Sequence, residues 1–129
     1  MRLQLEVSPG ELIDRITILE LKAERLPEAH RKRVASDLKR ARRVSERALA
    51  PLQRLHQLTN ALRAVNQELW EAEEELRKCE LRQDFGDRFV ELARTVYVAN
   101  DRRAALKSKI DSMFDADVRE FKSYALPEA

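Results

Sequence analysis

The chain has 129 residues, 37% of which are charged, and it contains only 2 glycines and 4 prolines. That length suits one domain, and so few turn-forming residues argue against a multi-stranded sheet. The formal net charge of +2 is too small to attract nucleic acid to the whole protein, so no nucleic-acid partner is expected. The sequence predicts an all-α antiparallel helical bundle, with residues 1–129 forming a single helical domain.

Features that would direct the chain to a membrane or an oxidising compartment are not evident. The first seven residues are too few and too polar for a signal peptide, and no apolar run approaches the ~20 residues of a membrane span. The single cysteine, Cys79, falls on an apolar helical stripe and cannot form an internal disulfide. We therefore expect a cytoplasmic protein without a membrane span.

The N-terminal seven residues alternate between apolar and polar side chains, which predicts a short strand or an extended arm. Ser8 can cap the helix that follows, and Pro9 suits its first position because no amide hydrogen bond is lost there. We predict a first helix from about Pro9 to Arg25, ended by Pro27.

The second predicted helix is strongly basic on one side. Pro51 should cause a kink or a short break after it. Its basic face could bind an acidic protein, nucleic acid or an anionic membrane. Alternatively, it could be solvated, or could balance the acidic residues of segment 66–91 within the chain or across a dimer. The basic face consists of Arg31, Lys32, Arg33, Lys39, Arg40, Arg42, Arg43 and Arg47.

The third and fourth helices should form a long coiled-coil-like hairpin. The break at residues 84–87 separates them, the fourth helix should run from about Asp87 to Met113, and a short last helix is predicted near 115–123. A bundle this small and polar often gains stability by dimerising, so a homodimer is expected. The third helix carries an apolar seam with alternating steps of three and four residues: Leu55, Leu58, Leu62, Val65, Leu69, Ala72, Leu76 and Cys79.

Polar residues in helical register beside the apolar faces are the candidate binding residues. A cleft lined by them would suit an anionic or sugar ligand, because arginine and lysine bind charge and tryptophan stacks on rings. The alternative is a set of interhelical salt bridges that fix the register of the helices. The candidates are Glu20 and Glu24 on the first helix, Asn66, Trp70, Glu73 and Arg77 on the third, and Asn100, Asp101, Arg103 and Lys107 on the fourth.

Segments 8–22, 66–80 and 89–107 resemble an uncharacterised bacterial all-α domain family with the signatures SPGELIDKITILEIK and FIELARSVYxxNDxRAxIK. This chain differs from the signatures in having Arg15, Leu21 and Thr95. Members of that family often occur near sugar-transfer and cell-surface polysaccharide proteins. The resemblance implies no reaction, but it does suggest a setting for the protein.

The leading functional hypothesis is a non-catalytic binding or assembly module that serves polysaccharide or sugar-transfer machinery. Its partner would be a second copy, an acidic protein, or an anionic or sugar ligand. The alternative is a small enzyme acting on an anionic metabolite, because the stretch from Ile13 to Ile16 resembles the opening helix of all-α chorismate mutases. No ligand spacing for a metal and no glycine-rich phosphate loop is present, so no metal and no cofactor is predicted.

Overall fold

The computed structural model describes residues 1–114, and four helices account for most of them. They are α1 (Pro9–Arg25), α2 (Glu28–Ala48), α3 (Gln53–Leu81) and α4 (Asp87–Met113), and residues 1–8 form neither helix nor strand. The predicted all-α bundle is confirmed, while the predicted last helix lies outside the described residues. None of the four helices combines the length and the apolar character that crossing a lipid bilayer requires.

Local signals in the sequence set the ends of the helices. The Ser8 hydroxyl accepts a hydrogen bond of 3.1 Å from the Glu11 amide, which caps the start of α1. Pro27 is the N-cap residue of α2, and residues 49–52 separate α2 from α3 around Pro51, so the predicted short break is present. At the tip of the α3–α4 hairpin, Gly86 occupies the N-cap position of α4.

Helix α1 lies at the centre of the fold and packs against each of the other three helices, whereas the backbone of α2 lies close to that of α1 alone. The main apolar core forms around α1, and Leu62 and Ile110 bring α3 and α4 to it. Buried residues from all four helices meet there: Leu12, Ile13, Ile16, Leu19, Val34, Leu38, Ala41, Leu55, Leu58, Leu62 and Ile110.

The α3–α4 hairpin is much longer than the helix that covers it. At 1.5 Å per residue, α3 and α4 are ~40 Å long and α1 is ~26 Å long. Residues 72–98 therefore form a two-helix projection, the hairpin extension, whose small core contains Ala72, Cys79 and Leu92 and no residue of α1. The predicted seam of α3 is buried at every position except Leu76, which is half-buried.

Candidate functional site

A buried carboxylate on α1 joins the three helices at the base of the hairpin. Asp14 is only 4% exposed. The Arg103 guanidinium of α4 donates two hydrogen bonds to it, from Nε to Oδ1 at 2.9 Å and from Nη2 to Oδ2 at 2.5 Å. The Lys107 ammonium lies 3.7 Å from Asp14 Oδ2. Two cations of α4 thus face one carboxylate of α1.

Helix α3 contributes a buried amide to the same point. The Asn66 side chain donates from Nδ2 to Asp14 Oδ1 at 2.9 Å and to the Thr17 hydroxyl at 2.8 Å. The Thr17 hydroxyl in turn donates to the Asp14 carbonyl oxygen at 2.8 Å. We call Asp14, Thr17, Asn66, Arg103 and Lys107 the Asp14 cluster. It connects α1, α3 and α4 by directional hydrogen bonds.

The beginning of α1 is held against α4 by its backbone. The Gly10 amide donates to Asp111 Oδ1 at 2.7 Å, and Asp111 is 1% exposed. A β-carbon at Gly10 would lie 2.3 Å from the Lys107 carbonyl oxygen, far inside van der Waals contact. Glycine at this position therefore allows α1 to approach α4 closely enough for the Asp14 cluster to form.

The surroundings of Asp14 favour its ionised form. Burial alone would raise the pKa of the Asp14 carboxyl. The hydrogen bonds from Arg103 and Asn66, together with the positive charges of Arg103 and Lys107, outweigh that effect and hold the pKa below its usual value. Asp14 is therefore an anion at neutral pH, and it is poorly suited to act as a general acid or base there.

The structure brings three of the predicted binding residues together and places others elsewhere. Asn66, Arg103 and Lys107 meet at Asp14. Glu20 belongs to a second network, in which it lies 3.0 Å from the Arg63 guanidinium and 3.6 Å from that of Arg42.

The remaining predicted residues do not join the Asp14 cluster. The Trp70 indole donates to Glu74, one turn further along α3. Within residues 1–114, the other five make no side-chain hydrogen bond or ion pair, and all are exposed or half-buried: Glu24, Glu73, Arg77, Asn100 and Asp101. Helix α1 extends along α3 only to the level of Glu71, which Arg25 reaches at 3.4 Å. Glu73 and Arg77 share the side of α3 that faces α1, but they lie beyond its end.

Asp14 is the residue that organises the cluster, and it was absent from the predicted site residues. A signal for it exists in the sequence. Gly10, Asp14, Thr17 and Leu21 follow one another in steps of four, three and four, and all four residues are buried. They form a continuous inner stripe of α1, which the strongly apolar neighbours Leu12, Ile13 and Ile16 obscured.

A shallow groove runs along the outer side of α4, on the face turned away from the Asp14 cluster. Its volume is about 490 Å³, and its lining includes Glu68 of α3 and Asp87, Val90, Glu91, Arg94 and Val98 of α4. Two valines, three carboxylates, one guanidinium and one hydroxyl line it. Among residues 1–114, no three His, Cys, Asp or Glu side chains gather as ligands for a metal ion.

Comparison with known proteins gives a family but no activity. Residues 3–129 match the model of a family whose description is "Family of unknown function (DUF6165)". No curated protein and no solved structure matches the chain. The matched region includes all four helices, the Asp14 cluster and the groove.

Proposed function

Because this chain belongs to DUF6165, a family of unknown function, we propose its role from its geometry: it is a non-catalytic assembly module that self-associates through the hairpin extension. The Asp14 cluster holds the helices of one copy together. The exposed side of the extension contacts a second copy. A homodimer is the assembly that this arrangement favours.

The chemistry of the Asp14 cluster favours a structural role over catalysis. An enzyme acting on an anionic metabolite would use Arg103 and Lys107 to bind the substrate, but both cations face Asp14. A substrate anion would have to displace that carboxylate, and the buried Asp14 would then lose its partners. Leaving a buried charge without partners is strongly unfavourable. The geometry therefore supports the module over the enzyme.

The observation that carries the proposal is the apolar surface of the hairpin extension. Val90, Tyr97 and Val98 of α4 are 52%, 71% and 58% exposed. They lie on the side of the helix opposite to Leu92 and Ala99, which are buried against α3. A surface helix normally has one apolar stripe. In α4 these three exposed apolar side chains, the outer stripe, come in addition to it, on an arc of the helix that also carries Arg94 and Asp101. A second copy covering the outer stripe would give it the burial that α1 does not supply.

We further propose that the module serves cell-surface polysaccharide or sugar-transfer machinery. Support for this setting comes only from the sequence motifs of segments 8–22 and 89–107, which resemble proteins from that context. A thermal-shift screen with nucleotide sugars and small carboxylates separates module from enzyme. A module that only assembles shows an unchanged melting temperature throughout the panel, and a saturable increase with one of these compounds would contradict a role limited to assembly.

The self-association is tested by making the outer stripe polar. Sedimentation equilibrium of the full chain should show a concentration-dependent dimer, and Val90→Ser with Val98→Ser should weaken its association at least tenfold. Both side chains are more than half exposed, so the free energy of unfolding should change by less than ~1 kcal/mol.

A matched control is available at the N terminus. Leu3→Ser with Leu5→Ser makes the same change in polarity at residues that are 85% and 87% exposed. This control should keep the association of the unchanged protein. A chain that remains monomeric at all concentrations, or equal association in the two variants, would show that the extension is not the assembly surface.

A further inference from the structure

The groove on α4 and the basic face of α2 have complementary chemistry, and we infer that α2 of a second copy docks in this groove. The inference rests on the proposed self-association and names the surface that meets the extension. It assigns a role to Lys39, Arg43 and Arg47 of the basic face, which form no ion pair with a carboxylate within residues 1–114.

The groove combines an apolar floor with negative charge. Val90 and Val98 supply exposed apolar surface. Glu68, Asp87 and Glu91 place three carboxylates around it, against the single guanidinium of Arg94. The partners of Glu68 and Glu91 within the chain are the exposed Arg102 and Arg88, so both carboxylates remain open to a further cation.

The outer side of α2 has the opposite charge. Val44 is 52% exposed and lies among Lys39, Arg40, Arg43 and Arg47, all of which are exposed. Arg40 pairs with Asp37 on its own helix. Within the described part of the chain, Lys39, Arg43 and Arg47 have no carboxylate partner. The outer side of α2 is therefore a basic strip with one apolar side chain in it.

These two surfaces do not neutralise each other within the described residues of one copy. The backbone of α2 lies close to α1 and not to α3 or α4, and no ion pair within residues 1–114 joins the outer side of α2 to the groove. A second copy is the partner that would balance the charge of the two surfaces. A membrane surface is less suitable, because the apolar side of α2 is buried against α1 through Val34, Leu38 and Ala41.

The lengths of the two surfaces agree. From Asp87 to Val98 the groove follows α4 for ~16 Å, and Lys39 to Arg47 spans ~12 Å of α2, at 1.5 Å per residue. Val44 of one copy would lie on Val90 of the other, with Arg43 and Arg47 near Asp87 and Glu91, the carboxylates on either side of Val90. This is a helix-in-groove contact.

A two-fold axis makes the contact reciprocal. Each copy offers one groove and one α2, so a closed dimer contains the same contact twice. Each contact then needs to bury only about half of the ~1,600 Å² typical of a stable protein pair. In the closed dimer both grooves and both α2 helices are occupied, so a third copy cannot be added through the same contact.

Charge reversal on both sides tests the inference. Arg43→Glu with Arg47→Glu reverses α2, and Glu68→Lys with Glu91→Lys reverses the groove. Each pair alone should weaken dimerisation of the full chain at least tenfold in sedimentation equilibrium at low salt. Combining all four changes should restore association to within about threefold of the unchanged protein, because opposite charges again face each other.

Arg15→Glu with Lys109→Glu is the matched control, since it reverses two exposed charges outside both surfaces. Unchanged helical circular dichroism establishes that each variant is folded. Full association of the α2 variant, or failure of the combined variant to recover, overturns the inference.

These experiments distinguish a failure of the α2 docking from a failure of the proposed self-association. If Val90→Ser with Val98→Ser disrupts the dimer while the charge reversals do not, self-association stands and docking of α2 fails. A monomeric chain overturns both. Binding of anionic vesicles or DNA through Arg43 and Arg47 by a chain that does not self-associate also overturns the inference, since the basic strip then serves a polyanion.

Discussion

Two neighbouring arginines of α4 show the contrast between the interior and the surface of this molecule. Arg103 faces the base of the hairpin and makes two hydrogen bonds to Asp14, whose side chain is 5% exposed. Arg102 pairs with Glu68 at 2.5 Å, and both side chains are about half exposed. Both residues are arginines of α4 with the same charge, and each pairs with a carboxylate of another helix. The comparison teaches that the burial of the partner decides what an ion pair contributes.

The same contrast holds for the two regions as a whole. At the base, α1 covers the hairpin and its polar groups are paired in the interior. In the hairpin extension only two helices pack together, and apolar side chains remain exposed. The base holds α1 and the hairpin together, and the extension carries the exposed apolar side chains on which the proposed self-association rests. Three experiments on residues of the base test this difference between the two regions.

The largest effect is expected from Arg103→Met. Removing the cation leaves the buried Asp14 without its main partner, so the free energy of unfolding should fall by ~3–5 kcal/mol. Arg102→Met is the matched control and should cost less than ~1 kcal/mol, because exposed ion pairs contribute little. Urea denaturation measures both. Equal losses in the two variants would contradict the distinction between the buried and the exposed ion pair.

A smaller loss is expected where α1 approaches α4. Gly10→Ala places a β-carbon against the Lys107 carbonyl oxygen, and the backbones must move apart to accept it. Such overpacking costs ~1–3 kcal/mol. Gly86→Ala is the control, because its β-carbon would meet only Asp84 Oδ1, at 3.4 Å. Thermal unfolding that leaves Gly10→Ala as stable as Gly86→Ala would show that the close approach is not needed.

The smallest effect is expected from pH. The pKa of Asp14 is lower in the folded protein than in the unfolded chain. Its stabilisation is therefore fully present above ~pH 4, the usual value of an aspartate, and is lost as the pH falls through the folded value. Asp14→Asn should remove part of the acid dependence of unfolding between pH 5 and 2, on the order of the window in which aspartates titrate. Asp101→Asn, at an exposed position, should not. Identical pH profiles for wild type and Asp14→Asn would contradict the assignment.

The sequence was sufficient to predict the architecture because the signals for it are local. Proline and serine mark the ends of α1, and the seam from Leu55 to Cys79 identifies the buried side of α3. Both depend only on the spacing of residues within one segment. The predicted helix from Asp87 to Met113 agrees with α4 for the same reason.

The candidate site could be predicted only in part, because it depends on how far one helix extends along another. The register of Asn66 and Arg103 was visible in the sequence, and both contact Asp14. The stripe on α3 continues unchanged through Glu73 and Arg77, and nothing in it shows where α1 ends. The part of this stripe that lies alongside α1 belongs to the buried cluster, whereas Glu73 and Arg77 lie beyond the end of α1 and are exposed.

Asp14 also sets the order in which the chain can complete its fold. Arg103 is 89 residues further along the chain, and the contact of Gly10 with Asp111 spans 101 residues. The hairpin of α3 and α4 forms from contacts much closer in sequence, so its loop-closure entropy is lower. During synthesis α1 precedes α4, so the carboxylate on its inner stripe can reach Arg103 and Lys107 only after most of α4 has emerged. Helix α1 can pack against α2 early, but it completes its contacts with the hairpin late.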